Sequence, residues 1–462
     1  MFKKLLYVVV VTTAATAYSQ ENTRANAFDI GSTSIASQPA ASLPEKRLVA
    51  PFANRYHNQT DGISLAEIVR LAVASNGNIK IAQLEIEKAR ARLTQAGLRS
   101  NPTLEVEQST GRIVGSPGDR ELSVGFSLPV DVYGQRQKRI DLARAEITLR
   151  EAELTTRQRE VTGQVLNTYA EALAALKELQ VLDDLLELDT QTVRFVQTRV
   201  NEGETAPLEL SLLQTEVERL RARREIADGN IQTALTRLKF YAGVAYDQPL
   251  KLREEISAAQ IPQLPTTSET GISLALRSRP ELRVAELEEQ LASAGLRLVR
   301  SQSKPDVTAY TRYTQGRSSI DLPGGSFPQS TDRSLTFGVS IGLPIFDKKQ
   351  GAKAEAEIAI RQAQERRSFA EAIIRNEVVT AFQRIESAKR ALRTLETTVI
   401  PRSLENIETI RKVYELGQLK ITDLIAEQRK LLDANRDLTE ALTLRYRSQA
   451  ELFIAIGANL EN

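Results

Sequence analysis

The sequence predicts a mainly α-helical chain with a small transmembrane β-barrel, made from a duplicated unit of strands and a long helical hairpin. Three observations predict it. First, one alternating strand pattern closed by Leu-Pro occurs twice. At Glu121–Gln135 (ELSVGFSLPVDVYGQ), Leu122, Val124, Phe126 and Leu128 alternate with Ser123, Gly125 and Ser127. At Ser334–Lys348 (SLTFGVSIGLPIFDK), Leu335, Phe337, Val339, Ile341 and Leu343 alternate with Thr336, Gly338, Ser340 and Gly342. Period two gives a strand one apolar face and one small polar face. Pro129 and Pro344 are expected to end these strands, because proline has no N–H for a ladder. Second, each strand feeds a very long charged helix. Third, the second half of the chain repeats the first, and an internal repeat is read before anything else about a fold.

Composition narrows the functional classes. The 462 residues suffice for two or three ordinary domains. Lys and Arg number 61 against 59 Asp and Glu, and a formal charge of +2 makes no electrostatic case for nucleic acid. Cysteine is absent, which excludes disulfides, thiolate metal sites, a cysteine nucleophile and a lipidated N-terminal cysteine. The single histidine, His57, lies in a polar stretch and is expected to face solvent. A Ser-His-Asp triad or a zinc site has little to draw on. No catalytic residue, cofactor site or metal site is expected.

The N-terminus, MFKKLLYVVVVTTAATAYSQ, has a basic start, a short apolar core from Leu5 to Val11, and small residues Ala17 and Ser19 before a cut ahead of Gln20. That is the layout of a secretory signal peptide over residues 1–19. No later stretch approaches the roughly 20 apolar residues of a membrane-spanning helix. The chain is therefore expected to be exported.

Residues 20–62 read as an extended arm, rich in Ser, Ala, Thr, Asn and Pro. The first repeat is expected over 63–241. It opens with a helix from Ser64 to about Ser100, broken near Gly77, whose Ile79, Ala82, Ile86, Ala89, Leu93 and Ala96 form a seam at spacings of 3 and 4. Asn101-Pro102 stops it. Thr103–Gly111 is a strand with Leu104 and Val106 on one face, and Gly115–Gly118 a turn before Glu121–Leu128. From Arg136 to Val200 proline is absent and glycine nearly so. A helix of that length runs about 95 Å, with Val161, Val165, Tyr169, Ala172, Leu176 and Leu179 as its seam. After a turn at 201–204, Leu208 to Tyr241 returns as the partner helix.

Residues 242–270, with Pro249, Pro262 and Pro265, link the halves. The second repeat is expected over 271–458. Glu281–Pro305 matches Asn78–Pro102 without a gap, its seam reading Leu282, Ala285, Glu289, Ala292, Leu296 and Val299. Val307–Thr314 is a strand, Arg317–Arg333 a long loop, and Ser334–Leu343 a strand, so strands and loops occupy 103–128 and 307–343. Gly351 to Leu416 is the long helix, with Ile374, Val378, Ala381, Ile385, Ala388, Leu392 and Leu395 as its seam. Pro401 within it predicts a kink or local break. Gly417 takes the place of Gly203, and Ile421–Ile456 returns.

Strands of about eight to ten residues have the length that crosses an outer membrane when tilted. Four per chain do not close a barrel, and open sheet edges are too costly in lipid. Two copies would give eight strands and a filled interior; three would give twelve and an aqueous lumen, and three is expected. Ser123, Ser127, Thr336 and Ser340 then line the lumen, while Leu122, Val124, Phe126, Leu335, Phe337 and Val339 face lipid. A half-buried sheet in a soluble domain shows the same alternation. The signal peptide and the strand-to-helix junctions favour lipid. Two accounts fit Tyr133 and Phe346, just past the strands: anchors at the lipid–water interface, or caps on the helices that follow.

The chain after about Ser64 resembles the TolC-like outer membrane efflux proteins. The resemblance is carried by the duplication, Asn101-Pro102 and Lys304-Pro305 before strands, Leu128-Pro129-Val130 and Leu343-Pro344-Ile345 after them, Pro401, and Tyr414-Glu-Leu-Gly417 leading into Asp423-Leu424 and Gln428-Arg429. It implies a homotrimer, with a 12-stranded β-barrel in the outer membrane continuing into a 12-helix α-barrel in the periplasm. The arm, linker and C-terminal end would form a belt around the α-barrel. It also implies a passive exit duct serving a periplasmic adaptor protein and an inner-membrane pump of the RND type. Gly134-Gln-Arg-Gln-Lys-Arg139, with Asn101-Pro102-Thr-Leu104, resembles the branch paired with heavy-metal cation pumps; drug efflux and type I protein secretion stay open.

The family closes its periplasmic end with a tyrosine, a basic residue and two aspartates. Tyr414 matches the tyrosine and Asp423 the first aspartate. The arginine position reads Leu419, with Lys420 beside it, and the second aspartate position reads Ala426, with Glu427 next along. Tyr414, Lys420, Asp423 and Glu427 are therefore the gate candidates the resemblance implies. A ring of Asp423 carboxylates would attract cations and narrow a pore; a carboxylate satisfying the helix N-terminus is the other account. Arg199, Glu202, Gly203, Glu204 and Gly417 mark the hairpin tips as candidate adaptor contacts, a plain solvated turn being the other account. Two rivals from different classes remain at this point: a periplasmic coiled-coil scaffold or adaptor without a pore, and an exported enzyme.

Overall fold

Tertiary structure follows from seams of small and branched residues on helices, and from the alternation of the strands. The computed structural model describes residues 55–458 apart from 112, 114–118, 260, 262 and 263. The expected signal peptide over 1–19, residues 20–54 of the expected arm and the turn expected at Gly115–Gly118 lie outside the described residues.

The first half runs α1 (Leu65–Ser75), α2 (Gly77–Ala96), β1 (Thr103–Thr110), β2 (Arg120–Val130), α3 (Gln135–Asn201) and α4 (Pro207–Ala242). The break near Gly77 falls on Asn76. Its extended backbone ends α1, and its side chain accepts the Asn78 N–H at 2.9 Å to start α2; asparagine is favoured there because its short carbonyl satisfies an orphan donor. In the second half, α5 (Ser268–Ser278) and α6 (Pro280–Gln302) meet at extended Arg279, which Pro280 forces out of the helical region. Then come β3 (Asp306–Leu322), β4 (Gly325–Gly342), α7 (Gln350–Thr394), a π-helical turn at Leu395–Val399, α8 (Ile400–Glu415) and α9 (Ile421–Ala455).

The break expected at Pro401 is that π-helical turn. The Ile400 N–H bonds the Leu395 carbonyl five residues back, a widened turn of the kind that relieves a helix interrupted by proline.

At 67 residues, α3 is about 100 Å long. Its seam residues Val161, Val165, Tyr169, Ala172, Leu176 and Leu179 are all buried, as are Ile374, Val378, Ala381, Ile385, Ala388 and Leu392 of α7. Each fully buried branched side chain contributes about 1.5–3 kcal/mol. Exposed pairs such as Arg221–Glu218 contribute at most about 1 kcal/mol, so the seams hold the hairpins. The main core gathers α1, α3, α4 and α9 around Leu252 and Ile256 of the segment between the halves.

Three expectations are corrected. Pro129 does not end β2; it pairs with Thr308, and the strand runs to Val130. The last β1 pair is Thr103 with Ser127, so β2 is an edge at Pro129, where a missing donor is tolerated. Arg317–Arg333 is not a loop but the outer part of the β3–β4 hairpin, paired to Leu322 opposite Gly325, with a register shift between Arg317 and Ser319 that precedes the Ser319–Pro328 pair. His57 is not solvent-exposed: its side chain is 13% exposed, its Nε2 lies 3.2 Å from the Arg253 carbonyl, and its backbone bridges to Leu252.

Candidate functional site

The four strands form one antiparallel sheet in the order β1-β2-β3-β4, and the register sorts every side chain onto one of two faces. One face carries Leu104 and Val106, then Leu122, Val124, Phe126, Leu128 and Val130, then Val307, Ala309, Thr311 and Tyr313, then Leu335, Phe337, Val339 and Ile341. Phe337 is 75% exposed and Leu104 67%. All six residues expected to face lipid lie here.

The opposite face carries Ser123, Ser127, Thr336 and Ser340, and also Glu105, Glu107, Thr308, Tyr310, Arg312 and Thr314. The long side chains overlie the small ones. Ser123 is buried and donates to Glu107 at 3.4 Å. Arg312 crosses Gly125 to reach Glu105 at 3.5 Å and Glu107 at 3.6 Å. The Tyr310 ring covers Gly338, where any Cβ would fall 2.4 Å from the ring. Glu105, Glu107, Tyr310 and Arg312 were missed because only Ser, Thr and Gly of the clearest strands were assigned to this face.

Past the sheet, Asp131 starts α3 by accepting the Gln135 and Arg136 N–H groups at 2.6 and 2.7 Å. Tyr133 and Phe346 make no cap; they are 41% and 92% exposed.

At the far end of the molecule the tips of α3–α4 and α8–α9 share a core of Val196, Leu213, Tyr414, Ile421, Leu424 and Ile425. Tyr414 is 3% exposed and donates its hydroxyl to Glu209 Oε2 at 3.0 Å. Burial and then the Glu209 carboxylate push that hydroxyl's pKa upward, so it stays a donor. Arg199 is no plain turn residue. Its Nη1 donates to the Tyr414 and Glu415 carbonyls at 3.3 and 3.4 Å, its Nε to Glu204 at 3.2 Å, and its guanidinium lies 5.7 Å from the Phe195 ring centre. A cation on the last carbonyls of α8 also opposes the helix dipole. Gly417, at φ +76°, makes the turn there with Arg199 Nη2 3.6 Å from where a Cβ would stand.

The other gate candidates separate. Asp423 is exposed and accepts the Lys420 N–H at 3.2 Å, as a first-turn carboxylate does. Lys420 is exposed. Glu427 is 7% exposed, held by Asn406 at 3.1 Å and Lys430 at 3.0 Å, so it does not extend beside Asp423 into solvent. Glu202, Gly203 and Glu204 are exposed at the α3–α4 turn. Glu209, the partner of Tyr414, had no signal in the sequence, since the pair is 205 residues apart.

Among the described residues no helix is long and apolar enough to cross a membrane, and no group of three or more His, Cys, Asp or Glu is placed to hold a metal ion.

Known proteins resemble the chain over most of its length. The cobalt-zinc-cadmium resistance protein CzcC of Cupriavidus metallidurans is 22% identical over 377 residues, 80% of this chain and 84% of CzcC. The cation efflux system protein CusC of Escherichia coli is 22% identical over 415 residues, 84% of this chain and 85% of CusC. The solved structure of the outer membrane protein VceC of Vibrio cholerae matches with a TM-score of 0.67 at 18% identity, over 86% of this chain and 97% of VceC; that likeness is one of fold. The profile of the outer membrane efflux protein family matches residues 68–244 and, a second time, 271–458. The chain belongs to the outer membrane efflux protein family and is a protein of the outer membrane.

Proposed function

We propose that three copies of the chain form a passive exit duct, the outer membrane part of a tripartite efflux system. The observation that carries this reading is the sheet. Its apolar face is exposed along β1, β2 and β4 and at Tyr313 of β3, and among the described residues β1 and β4 leave their outer edges unpaired. Each unpaired backbone group costs several kcal/mol in lipid, so a sheet with this face in a membrane closes edge to edge. Three copies supply twelve strands and enclose water, with Glu105, Arg312 and the hydroxyl-bearing residues inward. The helices continue the passage through the periplasm to the hairpin ends. There Tyr414, Asp423 and Arg199 form the closing contacts, and Glu202, Gly203 and Glu204 offer the surface for a periplasmic adaptor. An RND-type pump in the inner membrane supplies the energy. The duct does no chemistry of its own and holds no cofactor.

Heavy-metal cations are the substrate class this reading favours, because the relatives are named for cobalt, zinc, cadmium and cation efflux. A conduit needs no metal-binding cluster, only an aperture and a field that admits cations. Growth of cells lacking the chain on graded metal salts and on lipophilic drugs tests this. Hypersensitivity to the metals is expected. Sensitivity to drugs alone overturns the substrate assignment, and sensitivity to neither overturns efflux.

A further inference from the structure

Some 20 Å along α3 from its tip, at about 1.5 Å per residue, α3, α4 and α9 share a buried polar cluster that carriage of a solute does not call for. Asp189 on α3 is 1% exposed, and Gln428 on α9 is 6% exposed. Gln428 Nε2 donates to Asp189 Oδ1 at 2.5 Å. Gln428 Oε1 is buried and accepts nothing. A buried acceptor left open costs about 1–3 kcal/mol, so the pair lacks one proton donor.

The charged groups around Asp189 do not supply it. On α4, Glu216 is 6% exposed. From α9, Arg429 commits both Nε and Nη2 to Glu216 at 3.2 and 2.6 Å, and Arg219 approaches the same carboxylate at 3.6 Å. Ionised Asp189 therefore faces a neutral amide and, beyond it, a like charge. Burial raises its carboxyl to about 6; the Gln428 hydrogen bond opposes the rise and the Glu216 charge adds to it.

We propose that Asp189 and Gln428 are a proton-operated clasp that fastens α9 to the α3–α4 hairpin when Asp189 is protonated. A proton from solution bonds to Asp189 Oδ2, which then donates to Gln428 Oε1. The Nε2–Oδ1 bond remains, so acid and amide close a two-bond ring, and the buried charge is gone. When the proton leaves, the carboxylate is better solvated with α9 parted from α3. Asp189 is thus a positioning residue for the aperture, and this rests on reading the hairpin ends as the duct's periplasmic opening.

The direction follows from linkage. The fastened form holds Asp189 at about 6, and a hydrated aspartate has the ordinary value of 3.8. Between those values the fastened form binds more protons. The fastened-to-parted ratio therefore rises as pH falls from 6 toward 4, by up to about tenfold per unit. It is flat above and below that window.

The test uses the purified full-length protein in planar bilayers from pH 8 to pH 4, with infrared spectra over the same range. Open-channel occupancy is expected to fall as the pH drops below about 6 in the parent protein. Asp189→Asn, always neutral, is expected to hold the low occupancy at every pH. Gln428→Met, which keeps the packing and removes both hydrogen bonds, leaves the buried carboxyl titrating but takes away the acid–amide ring, so occupancy at low pH is expected to stay above the parent's. The parent spectrum should gain a protonated-carboxyl band between pH 7 and pH 5 that Asp189→Asn lacks. An Asp189→Asn curve that follows the parent, or no such band, overturns the clasp. Where Asp189→Asn does not fold, a Gln428→Met protein whose low-pH occupancy falls as far as the parent's overturns it equally. A band that titrates in a protein that never conducts supports the clasp as a proton site and sinks the duct reading alone.

Discussion

Tyr414 of α8 donates its hydroxyl to Glu209 of α4 at 3.0 Å, joining two hairpins 205 residues apart in the chain. Its ring stays in the core shared with Val196, Leu213 and Leu424. Tyr414→Phe removes the bond and keeps that packing. The closed arrangement should lose about 1 kcal/mol, a shift of about fivefold toward the open state. Single-channel recording checks this. Mean conductance equal to the parent's would show that the bond does not hold the hairpins shut.

Asp423 stands at the start of α9 and accepts the Lys420 N–H. Asp423→Ala removes a carboxylate from the proposed aperture together with a first-turn contact worth about 0.5–1 kcal/mol. The expected outcome is a weaker preference for cations, with a larger closed-state conductance. Reversal potentials across a salt gradient read this; an unchanged potential would remove Asp423 from the aperture and leave it a helix-starting residue.

The halves are tied by buried charge as well as by apolar seams. Arg159 of α3, 7% exposed, donates to Glu281 at the start of α6 at 2.8 Å and to the Ile454 carbonyl of α9. Arg279 shares Glu281 at 3.2 Å and reaches Glu377 of α7. Arg159→Met leaves the Ile454 carbonyl without that donor and Glu281 with Arg279 alone. A loss of about 3 kcal/mol is expected, and Arg159→Lys should not restore it, because one ammonium does not span both acceptors in the same plane. Denaturant unfolding in detergent measures it. Burial raises the Glu281 carboxyl, but Arg159 and Arg279 outweigh burial and hold it below 4.5. The network's stabilisation is therefore complete above 4.5 and is lost as pH falls through the lowered value.

Both long helices leave the sheet through a left-handed residue five positions after the strand proline: Gly134 at φ +66° after Pro129, and Lys349 at φ +58° after Pro344. Lys349 is the only described non-glycine residue with positive φ. Lys349→Gly should stabilise by about 0.5–1 kcal/mol, and Gly134→Ala should destabilise by about 1 kcal/mol. No atom lies within 4 Å of a Cβ at Gly134, so the second effect is one of backbone alone. Heat-dissociation midpoints check both signs.

The parts of this fold legible in sequence are those set by local periodicity. Val161, Val165 and Tyr169 announce the α3 seam by spacing alone, and Leu335, Phe337 and Val339 announce a two-faced strand. Pro401 marks the widened turn because its effect falls within a few residues. Pro129 misled because a missing N–H matters only if a neighbouring strand needs it, and where β1 stops is not written near Pro129. Residues 317–333 misled because Pro323 and Gly324 announce a turn, while the pairing on either side depends on a partner strand. The site was least legible. Arg199 with the Tyr414 carbonyl, Tyr414 with Glu209, and Asp189 with Gln428 join residues more than 200 positions apart. Only folding of the two hairpins against each other brings them together.

The central claim is that the exposed apolar face of the β1–β4 sheet meets lipid and that three chains join edge to edge around water. Mass determination of the detergent-solubilised complex, with conductance of the same preparation in a planar bilayer, tests it most directly. The account predicts a complex of three chains and stepwise ion conduction. A single chain that stays in solution without detergent and carries no current would contradict it.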